Sequence, residues 1–128
     1  MRYIQCCFLL LATLIVGQVD AQNSSMKKEK LRHVVLFKFK DASSDKDVKM
    51  VEAAFKALPE TISEIKGYEW GTNNSPEGLN QGLTHCFLLS FDSEAGRDAY
   101  LIHPDHKKFG KMLGPHLDKV TVVDYWVQ

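Results

Sequence analysis

The spacing of apolar and polar residues along the chain predicts four β-strands. Residues 33–39, 65–72, 84–91 and 120–127 are rich in β-branched and aromatic side chains, and turn-forming residues separate them. Residues 73–82 hold Asn, Ser, Pro and Gly and predict a loop between the second and third strands.

Two helices are predicted between these strands. Ser44 begins the first as a capping residue, with Asp47 in capping-box register, and Pro59 is expected to end it. The apolar stripe of this helix is formed by Val48, Val51, Phe55 and Leu58. Residues 92–93 begin the second helix, which we expect to break at residues 103–104 because a residue before proline avoids the α-helical region.

The order β-α-β-β-α-β is the split βαβ arrangement of ferredoxin-like α+β domains, an antiparallel sheet with both helices on one face. The strands are apolar on both faces: Val35 and Phe37 face one way, while Val34 and Leu36 face the other. A sheet with one face in water alternates more regularly. We therefore expect a homodimer whose two sheets pack face to face and close an α/β barrel.

Composition and charge narrow the class of protein. The 128 residues are 45% hydrophobic and 25% charged, which fits one folded domain and excludes global disorder. The 16 basic and 16 acidic residues give a formal net charge of zero, so there is no electrostatic basis for binding nucleic acid.

The first 21 residues have the features of a signal peptide. Arg2 precedes the apolar run of residues 4–16, and Val19 and Ala21 stand at the two positions that a signal peptidase reads. A membrane anchor is the alternative, but the run is shorter than the roughly 20 residues that span a bilayer. We expect cleavage after Ala21, a secreted or periplasmic protein, and no membrane association of the mature chain. Residues 22–30 then form a flexible linker, and residues 31–128 form the domain.

Cleavage would leave Cys86 as the one cysteine of the mature chain. An internal disulfide is then impossible, so stability must come from packing. Cys86 lies in an apolar strand, and we interpret it as a small core residue rather than a nucleophile.

The region from residue 33 to residue 126 resembles the stress-responsive A/B barrel (Dabb) family. The motifs that carry the resemblance are Arg32-His33, Trp70-Gly71, Thr84-His85, the Tyr-x-x-His-Pro-x-His run of residues 100–106, and Val123-Asp124-Tyr125. The resemblance implies a ferredoxin-like subunit and a dimeric barrel. Most members have no assigned reaction, and a plant member is a cofactor-independent polyketide cyclase with histidine and tyrosine in a pocket between sheet and helices.

The resemblance also implies site residues. It carries the catalytic histidine of the plant cyclase onto His106 and further functional positions onto His33 and Tyr100. A pocket tyrosine of that enzyme falls at Phe55, which lacks the hydroxyl. The other residues expected to line the ligand pocket are His103, His85 and Trp70.

These residue types favour acid–base chemistry without a cofactor. His106 precedes Phe109, Gly110 and Leu113 by three, four and seven residues and so shares their inward face. A neutral imidazole in a partly buried site can accept and return a proton, while a tyrosine donates a hydrogen bond to a carbonyl or enolate oxygen. In a structural alternative, His103 caps the broken helix while His106 and Tyr100 complete a hydrogen-bond network.

A metal site is the other hypothesis for the histidines. His103 and His106 are three residues apart with Asp105 between them, but zinc needs three or four convergent ligands and Pro104 disturbs the helix. We therefore expect neither a metal nor a cofactor. The sequence favours an exported A/B barrel protein that binds a small apolar or aromatic ligand. The alternatives are a cofactor-free cyclase, lyase or isomerase using His106, Tyr100 and His33, and, more remotely, a barrel like those of the antibiotic-biosynthesis monooxygenases.

Overall fold

The computed structural model describes residues 29–128, and these form four strands and three helices. In chain order they are β1 (Leu31–Phe39), α1 (Asp45–Thr61), β2 (Gly67–Thr72), β3 (His85–Phe91), α2 (Glu94–Ile102), α3 (Pro104–Leu113) and β4 (Leu117–Trp126). The predicted order is confirmed, with the second helix divided in two at the expected break. β1 and β4 begin two and three residues earlier than predicted, and β2 begins two residues later.

The four strands form one antiparallel sheet in the order β2-β3-β1-β4. β1 is a central strand: Val35 lies opposite Phe87 of β3 on one side and opposite Val122 of β4 on the other. The alternating burial of β1 shows that its odd-numbered residues face the helices, as predicted. β2 and β4 are the edge strands of the sheet.

The core lies between this sheet face and the helices. Val51, Phe55 and Leu58 of α1 are buried against it, which confirms the predicted stripe. Phe55 stacks on Phe87 with ring centroids 4.4 Å apart and packs on Phe109 of α3 at 4.6 Å. Aromatic packing therefore joins α1, α3 and the sheet centre.

The local signals that begin α1 are present in the structure, whereas Pro59 does not end the helix. The Ser44 hydroxyl accepts from the backbone N–H of Asp47, and the Asp47 carboxylate accepts from the backbone N–H of Ser44. α1 continues to Thr61 because a proline in the last turn removes only one backbone bond. The N–H of Ile62 still donates to the carbonyl of Leu58 at 2.9 Å.

The break between α2 and α3 is held by His103. Its backbone N–H closes α2 on the carbonyl of Tyr100, and its Nδ1 accepts from the backbone N–H of Asp105 in the first turn of α3. Pro104 occupies the first position of α3, where its missing N–H has no helical partner to lose. The chain can therefore turn here without leaving a buried donor unpaired.

The sheet face turned away from the helices is apolar and partly exposed. Val34 and Leu36 of β1 are half-buried, while Val123 and Tyr125 of β4 are 51% and 46% exposed. Cys86 lies on this face and is outside the buried core of the protomer, contrary to its interpretation as a core residue. The cause is its even position in β3, where the odd residues face the helices.

The predicted signal peptide and most of the predicted linker lie outside the described residues. Lys30, the last linker residue, already contacts the domain: its ammonium group is 2.6 Å from Asp92, and its carbonyl accepts from the N–H of Val127. No helix within residues 29–128 is long and apolar enough to cross a membrane.

Candidate functional site

Pairing in the sheet places four side chains of the helix-covered face in one row. Tyr68 of β2 pairs with Leu89 of β3, Leu89 pairs with His33 of β1, and His33 pairs with Asp124 of β4. Adjacent strands are roughly 5 Å apart, so the row crosses the sheet within about 15 Å. Polar side chains thus lie on both sides of a fully buried leucine.

His33 is the buried end of a charged network. Its Nδ1 lies 2.6 Å from one carboxylate oxygen of Asp124, and the other oxygen accepts from Arg97 at 2.9 Å. Arg97 also contacts the exposed carboxylate of Asp98 at 2.9 Å. Because a carboxylate oxygen accepts, His33 donates from Nδ1, which fixes the orientation of its ring. His33 is only 4% exposed, so this orientation is held inside the core.

Tyr100 is packed onto His33 from the end of α2. The two rings meet edge to face with centroids 5.7 Å apart, and Phe91 lies 5.3 Å from the tyrosine ring. Tyr100 is 1% exposed, and burial raises the pKa of its hydroxyl, with a smaller contribution from Tyr68. The hydroxyl therefore remains protonated at neutral pH and is available as a hydrogen-bond donor.

His106 approaches Tyr100 from α3. Its ring centroid lies 4.3 Å from that of Tyr100, and its Nδ1 is 3.1 Å from the carbonyl oxygen of Leu101. A carbonyl only accepts, so Nδ1 carries the proton and Nε2 of the neutral ring carries the lone pair. The helix break creates this contact, because it lets α3 turn His106 back onto the end of α2.

The environment of His106 favours the neutral imidazole. Burial lowers its pKa below the ordinary value of 6.5, the hydrogen bond to Leu101 opposes the shift, and His33 and His103 lower it further. A neutral ring with a lone pair on Nε2 is a proton acceptor at physiological pH.

These side chains line one cavity of about 450 Å³ between the sheet and the helices. The lining residues with polar side chains are His33, Tyr100, His106 and Asp124, and the predicted pocket residue Phe55 forms part of the wall. Much of the remaining wall is apolar and is formed by Val35, Phe37, Phe109, Leu113, Val120 and Val122. Cavities of this size and character hold small organic ligands.

The structure does not place His85, Trp70 or His103 in the lining of this cavity. The cavity lies over β1 and β4, whereas His85 and Trp70 stack on each other on β3 and β2, with centroids 6.3 Å apart. His85 is held there by Glu52 at 3.0 Å and by Thr84 at 2.8 Å. The ring of His103 caps α3 instead, in agreement with the structural alternative for that residue.

Two residues of the site were not expected from the sequence. Asp124 and Arg97 orient His33, although neither is near it in the chain. Asp124 belongs to a motif of the resemblance, but no role was assigned to it. Its charge at an inward-facing position of an apolar strand could have indicated that it has a buried partner. Arg97 carried no signal, because an arginine on an amphipathic helix is ordinarily exposed.

The histidines do not form a ligand set. Within residues 29–128 no three side chains of His, Cys, Asp or Glu converge closely enough to hold a metal ion. Nδ1 of His103 and Nδ1 of His106 are both engaged with backbone groups. What the arrangement offers chemically is a proton acceptor at His106 beside a hydroxyl donor at Tyr100, in a largely apolar space.

Comparison with known proteins identifies the family of this chain. The sequence profile of the Stress responsive A/B Barrel Domain matches residues 31–127. The chain belongs to the stress responsive A/B barrel family. The Arabidopsis thaliana stress-response A/B barrel domain-containing protein HS1 is 36% identical over 98 residues, which cover 77% of this chain and 90% of that protein. The olivetolic acid cyclase of Cannabis sativa is 26% identical over 95 residues, 74% of this chain and 94% of the cyclase.

Solved structures of similar proteins confirm the ferredoxin-like fold. A hydroxynitrile lyase from Passiflora edulis matches with a TM-score of 0.74 at 28% identity, over 79% of this chain and 95% of the lyase. A dimeric ferredoxin-like protein of unknown function from Thermobifida fusca matches with a TM-score of 0.66 at 29% identity, over 82% of this chain and 97% of that one. The family fold therefore occurs in dimers and in at least two kinds of enzyme.

Replacing Asp124 tests the network that orients His33. Asp124→Asn keeps the size of the side chain but removes the charge shared by His33 and Arg97, and we expect the free energy of unfolding to fall by about 1–3 kcal/mol. The matched control is Asp98→Asn, whose side chain is 63% exposed and whose loss should change stability by less than about 0.5 kcal/mol. Urea unfolding measures both, and equal effects of the two substitutions would contradict the network.

The lowered pKa of His106 predicts a pH dependence of stability. The unfolded chain binds a proton at His106 more readily than the folded protein does, so wild-type stability falls as the pH drops below about 6.5. His106→Gln removes this contribution, and its loss of stability between about pH 7 and pH 5 should be smaller than that of the wild type. Urea unfolding at a series of pH values measures the difference, and parallel curves for the two proteins would show that burial does not disfavour the charged imidazole.

Proposed function

We propose that this protein is an exported A/B barrel protein that binds a small apolar or aromatic ligand in the cavity of His33, Tyr100 and His106. The observation that carries the proposal is the cavity itself: about 450 Å³, with aromatic and aliphatic walls and a few polar groups at one place. Its β4 side is open to solvent at Val120 and Val122, which are 46% and 51% exposed, so a ligand can enter from that edge.

The walls supply affinity and the polar groups supply orientation. An aromatic molecule that buries about 150 Å² of its own surface gains roughly 4 kcal/mol from the apolar contact, before the cost of association. Phe37, Phe55 and Phe109 offer this contact. The Tyr100 hydroxyl and the Nε2 atom of His106 then select a ligand with an oxygen at a matching position, because an unpaired polar group in this space would be costly.

A cofactor-free cyclase, lyase or isomerase is the second candidate function. The pairing of a neutral His106 with a protonated Tyr100 favours it, and the names of two relatives, a cyclase and a lyase, are consistent with it. In this reaction Nε2 of His106 removes a proton from the carbon beside a carbonyl group, and the Tyr100 hydroxyl donates a hydrogen bond to the enolate oxygen. The imidazolium then returns the proton to carbon. In a cyclisation, the enolate carbon instead attacks the carbon of a second carbonyl group, the π bond of that group breaks, and the imidazolium protonates the resulting alkoxide oxygen.

A homodimer completes this proposal. The open sheet face presents Val34, Leu36, Val123 and Tyr125, and similar chains of this fold are dimeric. Packing two such faces together removes these side chains from water. A depression of about 510 Å³, lined in part by Leu36 and Cys86, lies on this same face and would be covered by the second copy.

Two neighbouring valines allow the cavity and the dimer to be tested separately. Val122 lines the cavity and Val123 lies on the open face, and each is 51% exposed. Val122→Glu puts a carboxylate into the cavity and should weaken binding of 1-naphthol at least tenfold while the protein stays dimeric. Val123→Glu should dissociate the dimer, because two buried carboxylates would face the interface.

Tryptophan and 1-naphthol fluorescence measure the affinity for 1-naphthol, and light scattering at micromolar concentration measures the oligomeric state. Circular dichroism verifies that both variants are folded. A wild type that binds no 1-naphthol would contradict the ligand site. A monomeric wild type, or a folded Val123→Glu dimer, would contradict the proposed interface.

Proton exchange tests the enzymatic candidate without a known substrate. The wild type should accelerate exchange of the α-protons of phenylacetone with deuterium oxide. His106→Gln should abolish the acceleration, and Tyr100→Phe, which keeps the ring, should reduce it by about tenfold to a thousandfold, as for a lost oxyanion donor. NMR follows the exchange. A His106→Gln variant as active as the wild type would eliminate His106 as the base.

Export is tested at the amino terminus. The apolar run of residues 4–16 and the cleavage motif ending at Ala21 motivate the proposal. Protein recovered from outside the cytoplasm should begin near Gln22 on N-terminal sequencing. Intact Met1 on the recovered protein would rule out cleavage.

A further inference from the structure

One buried hydroxyl group near the cavity has no hydrogen-bond partner in the protein. The Tyr68 hydroxyl is shielded from solvent, and it forms no hydrogen bond with residues 29–128. Leaving such a group unpaired costs about 1–3 kcal/mol. A phenylalanine at this position would keep the ring contacts with Phe55 at 5.7 Å and Phe87 at 6.5 Å without that cost.

The position of Tyr68 connects it to the ligand site. It lies in the same row of the sheet as His33, separated from it by Leu89 alone, and Tyr100 packs over the His33 end of this row. The two tyrosine hydroxyls are near enough to influence each other's environment, since Tyr68 contributes to the raised pKa of Tyr100. Tyr68 also touches Phe55, which lines the cavity. Tyr68 therefore lies directly behind a residue of the cavity wall.

Tyr68 brings a hydroxyl to an aromatic cluster that is otherwise apolar at the cavity wall. Phe55 lines the cavity and has no polar atom in its side chain, and Tyr68 of β2 packs against it. Burial raises the pKa of Tyr68, so this hydroxyl too stays protonated and donates a hydrogen bond.

We propose that Tyr68 is a specificity-determining residue of the ligand site, and that its hydroxyl donates a hydrogen bond to an oxygen at the inner end of the ligand. This inference rests on the proposed ligand-binding function. It narrows the ligand class to flat aromatic molecules with two oxygen substituents, one that meets Tyr100 and His106 and a second that reaches past Phe55 to Tyr68. The proposal requires the Phe55 ring to turn aside when the ligand binds, because Phe55 stands between the cavity and Tyr68.

A matched pair of probes tests the inference on the full mature protein. 2-Naphthol carries one hydroxyl and 2,6-dihydroxynaphthalene carries a second at the opposite end. The wild type should bind the diol about twofold to tenfold more tightly than 2-naphthol, the usual gain from one hydrogen bond. In Tyr68→Phe this preference should disappear while the affinity for 2-naphthol stays unchanged. Ser63→Ala, which removes an exposed hydroxyl outside the cavity, is the control and should keep the preference.

The melting temperature of the unliganded variants gives a second readout. Tyr68→Phe removes an unpaired buried hydroxyl and should melt at or above the temperature of the wild type. A Tyr68→Phe variant that retains the preference for the diol, a wild type without that preference, or a drop of several degrees in melting temperature would overturn the role of Tyr68 and leave the ligand site standing. A wild type that binds neither probe would overturn the proposed function and this inference with it.

Discussion

The antiparallel register between β1 and β4 is the constraint on which the site depends. It sets His33 opposite Asp124, so that an imidazole buried in the core meets a carboxylate at 2.6 Å. A shift of one residue would turn every side chain of one strand to the other face and leave both groups unpaired. The apolar residues of β1 that face the helices enforce the register, because only this pairing buries them all. The hydrophobic core and the polar site are thus specified by the same alternation.

The second constraint is the break between α2 and α3. A continuous helix would carry His106 away from Tyr100, whereas Pro104 and the His103 cap turn the chain so that the two rings meet at 4.3 Å. The same turn leaves the carbonyl of Leu101 free to accept from His106, which determines the nitrogen that carries the proton. The two histidines of this motif therefore have different roles. His103 caps α3, and His106 is the proposed base.

Most of the fold could be predicted from the sequence, because it depends on local periodicity. The stripe of α1, the capping box at Ser44 and the alternating burial of β1 and β3 are all properties of neighbouring residues. The site was only partly predictable, because it depends on pairing between distant strands. His106 and its inward neighbours follow from helix spacing, but the contact of His33 with Asp124 and Arg97 requires the strand order. Because the strand order was not known, His85 and Trp70 were expected to line the pocket, whereas the cavity lies over β1 and β4. Pro59 shows the opposite limit: the proline predicted the end of α1, but it costs the last turn only one backbone hydrogen bond and the helix continues to Thr61.

The central claim is that His106 is a neutral imidazole with its lone pair on Nε2 beside a protonated Tyr100. Long-range ¹⁵N–¹H NMR of histidine-labelled protein at neutral pH tests this claim most directly, because it distinguishes a protonated ring nitrogen from an unprotonated one. The geometry predicts a protonated Nδ1 and an unprotonated Nε2 for His106, with both signals assigned by their loss in His106→Gln. A His106 ring protonated on Nε2 alone, or on both nitrogens, would contradict the account, because Nε2 would then have no lone pair with which to accept a proton from the ligand.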